Sequence, residues 1–105
     1  MKDLSHLPAS IQRLIHHGIG VVCPKRVILF GSRARGDAHP LSDFDIAFEF
    51  APEQESAWVR FLQQVEDIPL TLREVDLVDF ARAPQELKSR ILAEGSVIHG
   101  ETTNG

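Results

Sequence analysis

The stretch from Val27 to Phe50 constrains the fold more than any other part of the chain. Val27-Ile28-Leu29-Phe30 is a short, wholly apolar run of β-branched and aromatic residues, which predicts a buried strand rather than an amphipathic one. Gly31-Ser32 ends it. Arg33-Ala34-Arg35-Gly36 then sets two guanidinium groups among small residues, and Asp37 to Ser42, with His39-Pro40, reads as loop. From Asp43 to Phe50 the sequence alternates. A strand's period of two puts Asp43, Asp45, Ala47 and Glu49 on one face and Phe44, Ile46, Phe48 and Phe50 on the other. The expectation is that the aromatic face packs while the other presents paired carboxylates, with Glu49, further along, exposed.

Two aspartates held side by side repel each other and resist burial unless something positive sits between them. A divalent cation meets that need. Hard oxygen ligands on a rigid strand, completed by water and substrate phosphates, describe a Mg²⁺ site for nucleotide chemistry. The Gly-Ser turn supplies the other half. Gly31 has no Cβ and lets a phosphate approach the backbone, and a helical turn from Ser32 would aim free N–H groups and a hydroxyl at it. Arg33 and Arg35 are candidates for charge-assisted contacts to the same phosphates, and Ser42 for capping or orienting the turn into Asp43. Alone, the two aspartates would read as a solvated strand end and the Gly-Ser pair as a turn; their combination favours the site.

These residues resemble the G-S-x10-D-x-D signature of the polymerase-β-type nucleotidyltransferase superfamily, with Gly31-Ser32, ten intervening residues and Asp43-x-Asp45. Gly31 to Gly36 is similar to its minimal, MNT-type members. The resemblance runs from about Lys25 to the region of Gly95. It implies an α/β (α+β mixed) nucleotidyltransferase core, a small mixed sheet packed with about three to four helices. It also implies a third carboxylate on a later strand. Leu72 to Val78 reads as that strand, with Val75 and Leu77 on the packed face and Glu74, Asp76 and Val78 on the other. Asp67 lies in a polar turn before Pro69, and Asp79 has the wrong parity. Asp76 is the choice, with Glu74 second.

By that likeness Asp43, Asp45 and Asp76 would hold two Mg²⁺ ions, with Asp76 helping to deprotonate the attacking hydroxyl. Gly31 and Ser32 would hold the β- and γ-phosphates of ATP. Stand-alone MNT proteins of this kind resemble antitoxins paired with a helical HEPN-type ribonuclease toxin, which implies transfer of AMP from ATP to a tyrosine of that toxin. The chain contains no tyrosine, so tyrosine self-modification is excluded. Two alternatives stay open: an antitoxin that inhibits by binding alone, and the catalytic subunit of a split transferase for a small molecule such as an aminoglycoside.

Length and composition bound these readings. A chain of 105 residues predicts one domain over 1–100 with a disordered tail over 101–105, and is short of a second substrate-binding domain. A net charge of −4 offers no broad basic surface, so direct nucleic-acid binding and templated polymerisation are not expected. No apolar run is long enough for a signal peptide or a membrane span. The single cysteine, Cys23, rules out an intrachain disulfide, fits a cytoplasmic location and is expected as a small core residue.

Elsewhere the periodicity predicts three helices. Pro8 suits a first turn, followed by Ile11, Leu14, Ile15, Ile19 and Val22 at helical spacing, the helix ending between Gly18 and Pro24. His16 and His17 are adjacent on it and so point apart, as solvated surface rather than a ligand pair. A second helix starts near Glu53 and carries Trp58, Phe61, Leu62 and Val65 as a core stripe. A third starts at Pro84, carries Leu87, Ile91 and Leu92, and is capped at Gly95 before a last strand, Ser96 to His99.

Overall fold

The computed structural model describes residues 7–30, 44–66 and 75–100. In chain order these form α1 (Ala9–Val22), β1 (Arg26–Phe30), β2 (Phe44–Glu49), a 3-10 turn (Pro52–Gln54), α2 (Glu55–Glu66), β3 (Val75–Asp79), a second 3-10 turn (Phe80–Arg82), α3 (Gln85–Glu94) and β4 (Ser96–Gly100). The four strands make one mixed sheet in the order β3-β2-β1-β4. β1 runs antiparallel to both β2 and β4, whereas β2 and β3 are parallel. Among the described residues, a small mixed sheet with three α-helices agrees with the architecture expected from the sequence. The tail expected over 101–105 lies outside the described residues.

One face of the sheet carries Val27, Leu29, Ile46, Phe48 and Ile98, packed with Ile11, Leu14, Ile15 and Val22 of α1 and with Trp58 and Phe61 of α2. The alternation of β2 is therefore expressed as predicted. The rings interlock: Phe48 lies 5.4 Å from both Trp58 and Phe61 between centroids. Gly18 is where α1 comes down on those rings, because a Cβ there would stand 2.7 Å from the Cζ of Phe61 and 2.8 Å from that of Phe48. Glycine costs the helix interior some stability but permits the approach. His17, exposed beside it, pairs through Nε2 with Oε1 of Gln64 at 2.7 Å, so the surface reading of the two histidines holds for a residue that also ties α1 to α2.

The opposite face is also packed, against the expectation of an open carboxylate face. Ile28, Phe30 and Ala47 are buried against Ile91 of α3 and Phe80, with Leu87, Val78 and Val97 around them. Parity sorts side chains between faces but does not say what covers each one. Two further readings, those of Cys23 and Glu49, are corrected. Cys23 is exposed, not a core residue. It ends α1 in a left-handed conformation, φ 53°, its N–H bonded to the carbonyl of Ile19, and this backbone swings the side chain outward. Leu92 on α3 is 58% exposed, since only the Leu87 and Ile91 stripe meets the sheet. Glu49 is half-buried and accepts from Nε of Arg26 at 2.5 Å, because β1 and β2 set those residues opposite one another. Gly95 caps α3 as expected, but in an extended conformation, with the space for a Cβ already filled by Ile28 and by the Ile91 carbonyl.

Candidate active site

The sheet brings two of the predicted carboxylates together. β2 and β3 pair in parallel with Asp45 directly opposite Asp76, and β1 pairs on the other side with Phe30 opposite Asp45. Paired positions of neighbouring strands lie on one face, about 4.8 Å apart along the hydrogen-bonding direction. Phe30, Asp45 and Asp76 thus form a row on the face that carries α3. The next row inward is Ile28, Ala47 and Val78, wholly apolar and part of the α3 cluster. Asp45 is half-buried and Asp76 exposed, so the row marks the point where this face opens to solvent.

The location follows from chain direction. β2 and β3 begin at this end of the sheet, β1 ends there, and Ser96, the first residue of β4, lies opposite Leu29. Parallel strands that start together place their first side chains side by side. Asp79, rejected as the third carboxylate on parity, occupies the other end of β3. There Oδ1 accepts from the backbone N–H groups of Ala81 and Arg82, at 3.1 and 3.4 Å, and caps the second 3-10 turn.

Gly31, Ser32, Arg33, Arg35, Ser42 and Asp43 lie outside the described residues, as do Asp67 and Glu74. Among the described residues no group of three or more histidine, cysteine or acidic side chains is placed to hold a metal. Asp45 and Asp76 are two hard oxygen donors, adjacent and of like charge, and this donor set fits a Mg²⁺ ion completed by water or phosphate oxygens. Among the described residues no helix is long and apolar enough to cross a membrane.

Residues 20–104 match the family described as polymerase beta, nucleotidyltransferase. The chain belongs to that family. This nucleotidyltransferase is similar in structure to the MntA-HpeT toxin-antitoxin in a mutant form, at 28% identity and TM-score 0.61 over 88% of this chain and 71% of the other. A toxin-antitoxin with AMP-PNP matches at 26% identity and TM-score 0.57 over 86% of this chain and 73% of the other. A protein described as a minimal nucleotidyltransferase matches at 25% identity and TM-score 0.60, over 90% of this chain and 95% of the other. No curated protein matches the chain.

The sequence pattern alone reaches both carboxylates that the sheet brings together. It does not reach Phe30, which closes the row on the far side of Asp45. The available signal was Phe30 as the last residue of the apolar run before Gly31.

Proposed function

We propose that this nucleotidyltransferase uses Mg²⁺ to transfer AMP from ATP to a tyrosine hydroxyl of a partner HEPN-type ribonuclease toxin, and so acts as its antitoxin. The observation that carries the reading is the register of Asp45 against Asp76 at the open end of the sheet, in a chain of this family. The likeness to toxin-antitoxin structures, one of them with AMP-PNP, supports the partner and the nucleotide.

In this reading Asp43, Asp45 and Asp76 hold Mg²⁺, which when bound acts as a Lewis acid on the phosphoryl oxygens and balances the charge of the leaving pyrophosphate. Asp76 accepts the proton of the tyrosine hydroxyl. The phenolic oxygen bonds to the α-phosphorus as the bond from that phosphorus to the bridging oxygen of the β-phosphate breaks. Gly31 and Ser32 hold the β- and γ-phosphates so that the leaving oxygen stays in line, and Arg33 and Arg35 offset their charge. Ser42 orients the turn that leads into Asp43. Phe30, buried beside Asp45, keeps water from that flank of the row and strengthens the local field.

The test is incubation of the full chain with ATP, Mg²⁺ and the helical partner, followed by the intact mass of the partner. Gains in whole multiples of the AMP increment, absent with Asp45→Asn, support the reading. A stable complex in which the partner's mass stays unchanged overturns it in favour of inhibition by binding.

A further inference from the structure

α1 and α2 cover one face of the sheet side by side, tied at their exposed rim by Nε2 of His17 and Oε1 of Gln64, 2.7 Å apart. Away from the sheet α1 exposes Arg13, His16, His17 and Gly20, at i, i+3, i+4 and i+7, and α2 exposes Ser56, Val59, Arg60 and Gln63 at the same spacing. Gly20 is the residue on this surface that the fold does not require. It lies inside α1 and its φ is not positive, so its backbone does not call for glycine. A Cβ there would meet nothing within 4 Å among the described residues, whereas Gly18, two positions earlier, is needed to clear the rings of Phe61 and Phe48. Glycine in a helix interior is less stable than alanine. Nothing among the described residues accounts for its presence at position 20.

The same surface is distinguished by charge. The chain carries a net charge of −4, yet α1 contains no acidic residue from Ala9 to Val22. Arg13 and Arg60 are exposed, and among the described residues neither makes an ion pair. Glu55, in the first turn of α2, is already paired with Arg82. The result is a cationic strip on an anionic protein. A glycine on an outward helix face lets a second helix approach closely, since the distance between packed helix axes is set by the side chains at the contact. Two guanidinium groups beside it are too few to hold a nucleic-acid backbone tightly, but they suit carboxylates along one face of an approaching helix.

We infer that the outer face of α1 and α2, with Gly20 as the point of close approach and Arg13 and Arg60 as its charges, docks a helix of the partner protein that presents acidic side chains. This rests on the helical partner of the reading above, and not on the chemistry assigned to the carboxylates. The surface lies across the sheet from the row of Asp45 and Asp76, so a partner docked there does not cover that row.

The test is the affinity of the full chain for the helical partner, measured for wild type, Gly20→Ala, Gly20→Gln, Arg13→Glu and Arg60→Glu, with melting temperatures taken on the same samples. Gly20→Ala raises the melting temperature by a few degrees, as a helix former on an open face should, and Gly20→Gln does not lower it. Gly20→Gln nevertheless weakens the partner complex by about tenfold or more, because the added side chain fills the point of approach. Each charge reversal weakens it by about as much, and wild-type affinity falls as salt is added. Partner affinity unchanged in Gly20→Gln and in both charge reversals overturns the inference while leaving the transferase reading intact. A wild-type chain that binds no helical partner overturns both. Single-stranded RNA bound by the wild type and released by Arg13→Glu, with the partner complex unaffected, overturns the choice of occupant.

Discussion

Asp45 and Asp76 occupy directly paired positions on two parallel strands, where the face of the sheet passes from an apolar row to solvent. Like charges so placed repel, and a bound cation would offset that repulsion. Removing either charge while keeping the shape therefore separates function from folding. Asp76→Asn, at an exposed position, should change stability by no more than about 0.5 kcal/mol, while transferase activity falls roughly a thousandfold. Melting temperature and initial rate on the same samples check both halves.

Asp79 provides the internal control. It lies on the same strand three residues on, and its carboxylate caps the turn at Phe80 rather than facing the row. Asp79→Ala should cost about 1 kcal/mol, a fall in melting temperature of roughly 4–8 °C for a domain of this size, with activity per folded molecule retained. Thermal unfolding with rates normalised to folded protein gives the answer. A rate collapse in Asp79→Ala equal to that in Asp76→Asn would contradict the assignment of the two roles.

Ala47 sits fully buried between Ile28 and Val78, one row inward from Asp45. A larger residue there must push α3 off the sheet or distort β2. Ala47→Leu should destabilise by about 1–3 kcal/mol, and because it acts on the row beneath the carboxylates it should also lower activity. Chemical denaturation and kinetics report the two effects. Gly18→Ala tests the other face, where the added Cβ would collide with the rings of Phe61 and Phe48. A similar loss of stability is expected there, with the rate of the remaining folded protein unchanged.

At the far end of the sheet Arg26 pairs with Glu49 and lies over the Phe80 ring, 5.8 Å from its centroid. Glu49→Gln keeps a hydrogen-bond acceptor but removes the charge opposite a half-buried guanidinium, and should cost about 1 kcal/mol. AMP-PNP affinity should not move, since Glu49 lies two rows from Asp45 on the same face. Denaturation midpoints and a nucleotide titration make the comparison.

Strand parity makes the shared face of Asp45 and Asp76 legible in the amino-acid sequence. The alternation through Phe44 to Phe50 and the shorter Val75 to Val78 pattern each assign a face, and the fold keeps Asp45 and Asp76 on a common one. The register that sets them opposite each other is not legible there, because it depends on the crossover through α2 and on which strand β3 chooses as neighbour. The same limit explains Glu49, whose partner Arg26 lies 23 positions away and meets it only through the β1 and β2 pairing. Cys23 misleads for a local reason: its apolar neighbours suggest core, but a left-handed residue at a helix end turns its side chain away. Leu92 shows that an apolar residue in a short helix need not lie on its packed stripe.

The most direct measurement uses ATP labelled at the α-phosphate, the helical partner and Mg²⁺, comparing wild type with Asp45→Asn and Asp76→Asn at matched folded concentration. Label should enter the partner with an equal yield of pyrophosphate for the wild type, and both variants should lose the two products together. Undiminished labelling by Asp76→Asn would contradict the central claim that the row formed by Asp45 and Asp76 carries the chemistry.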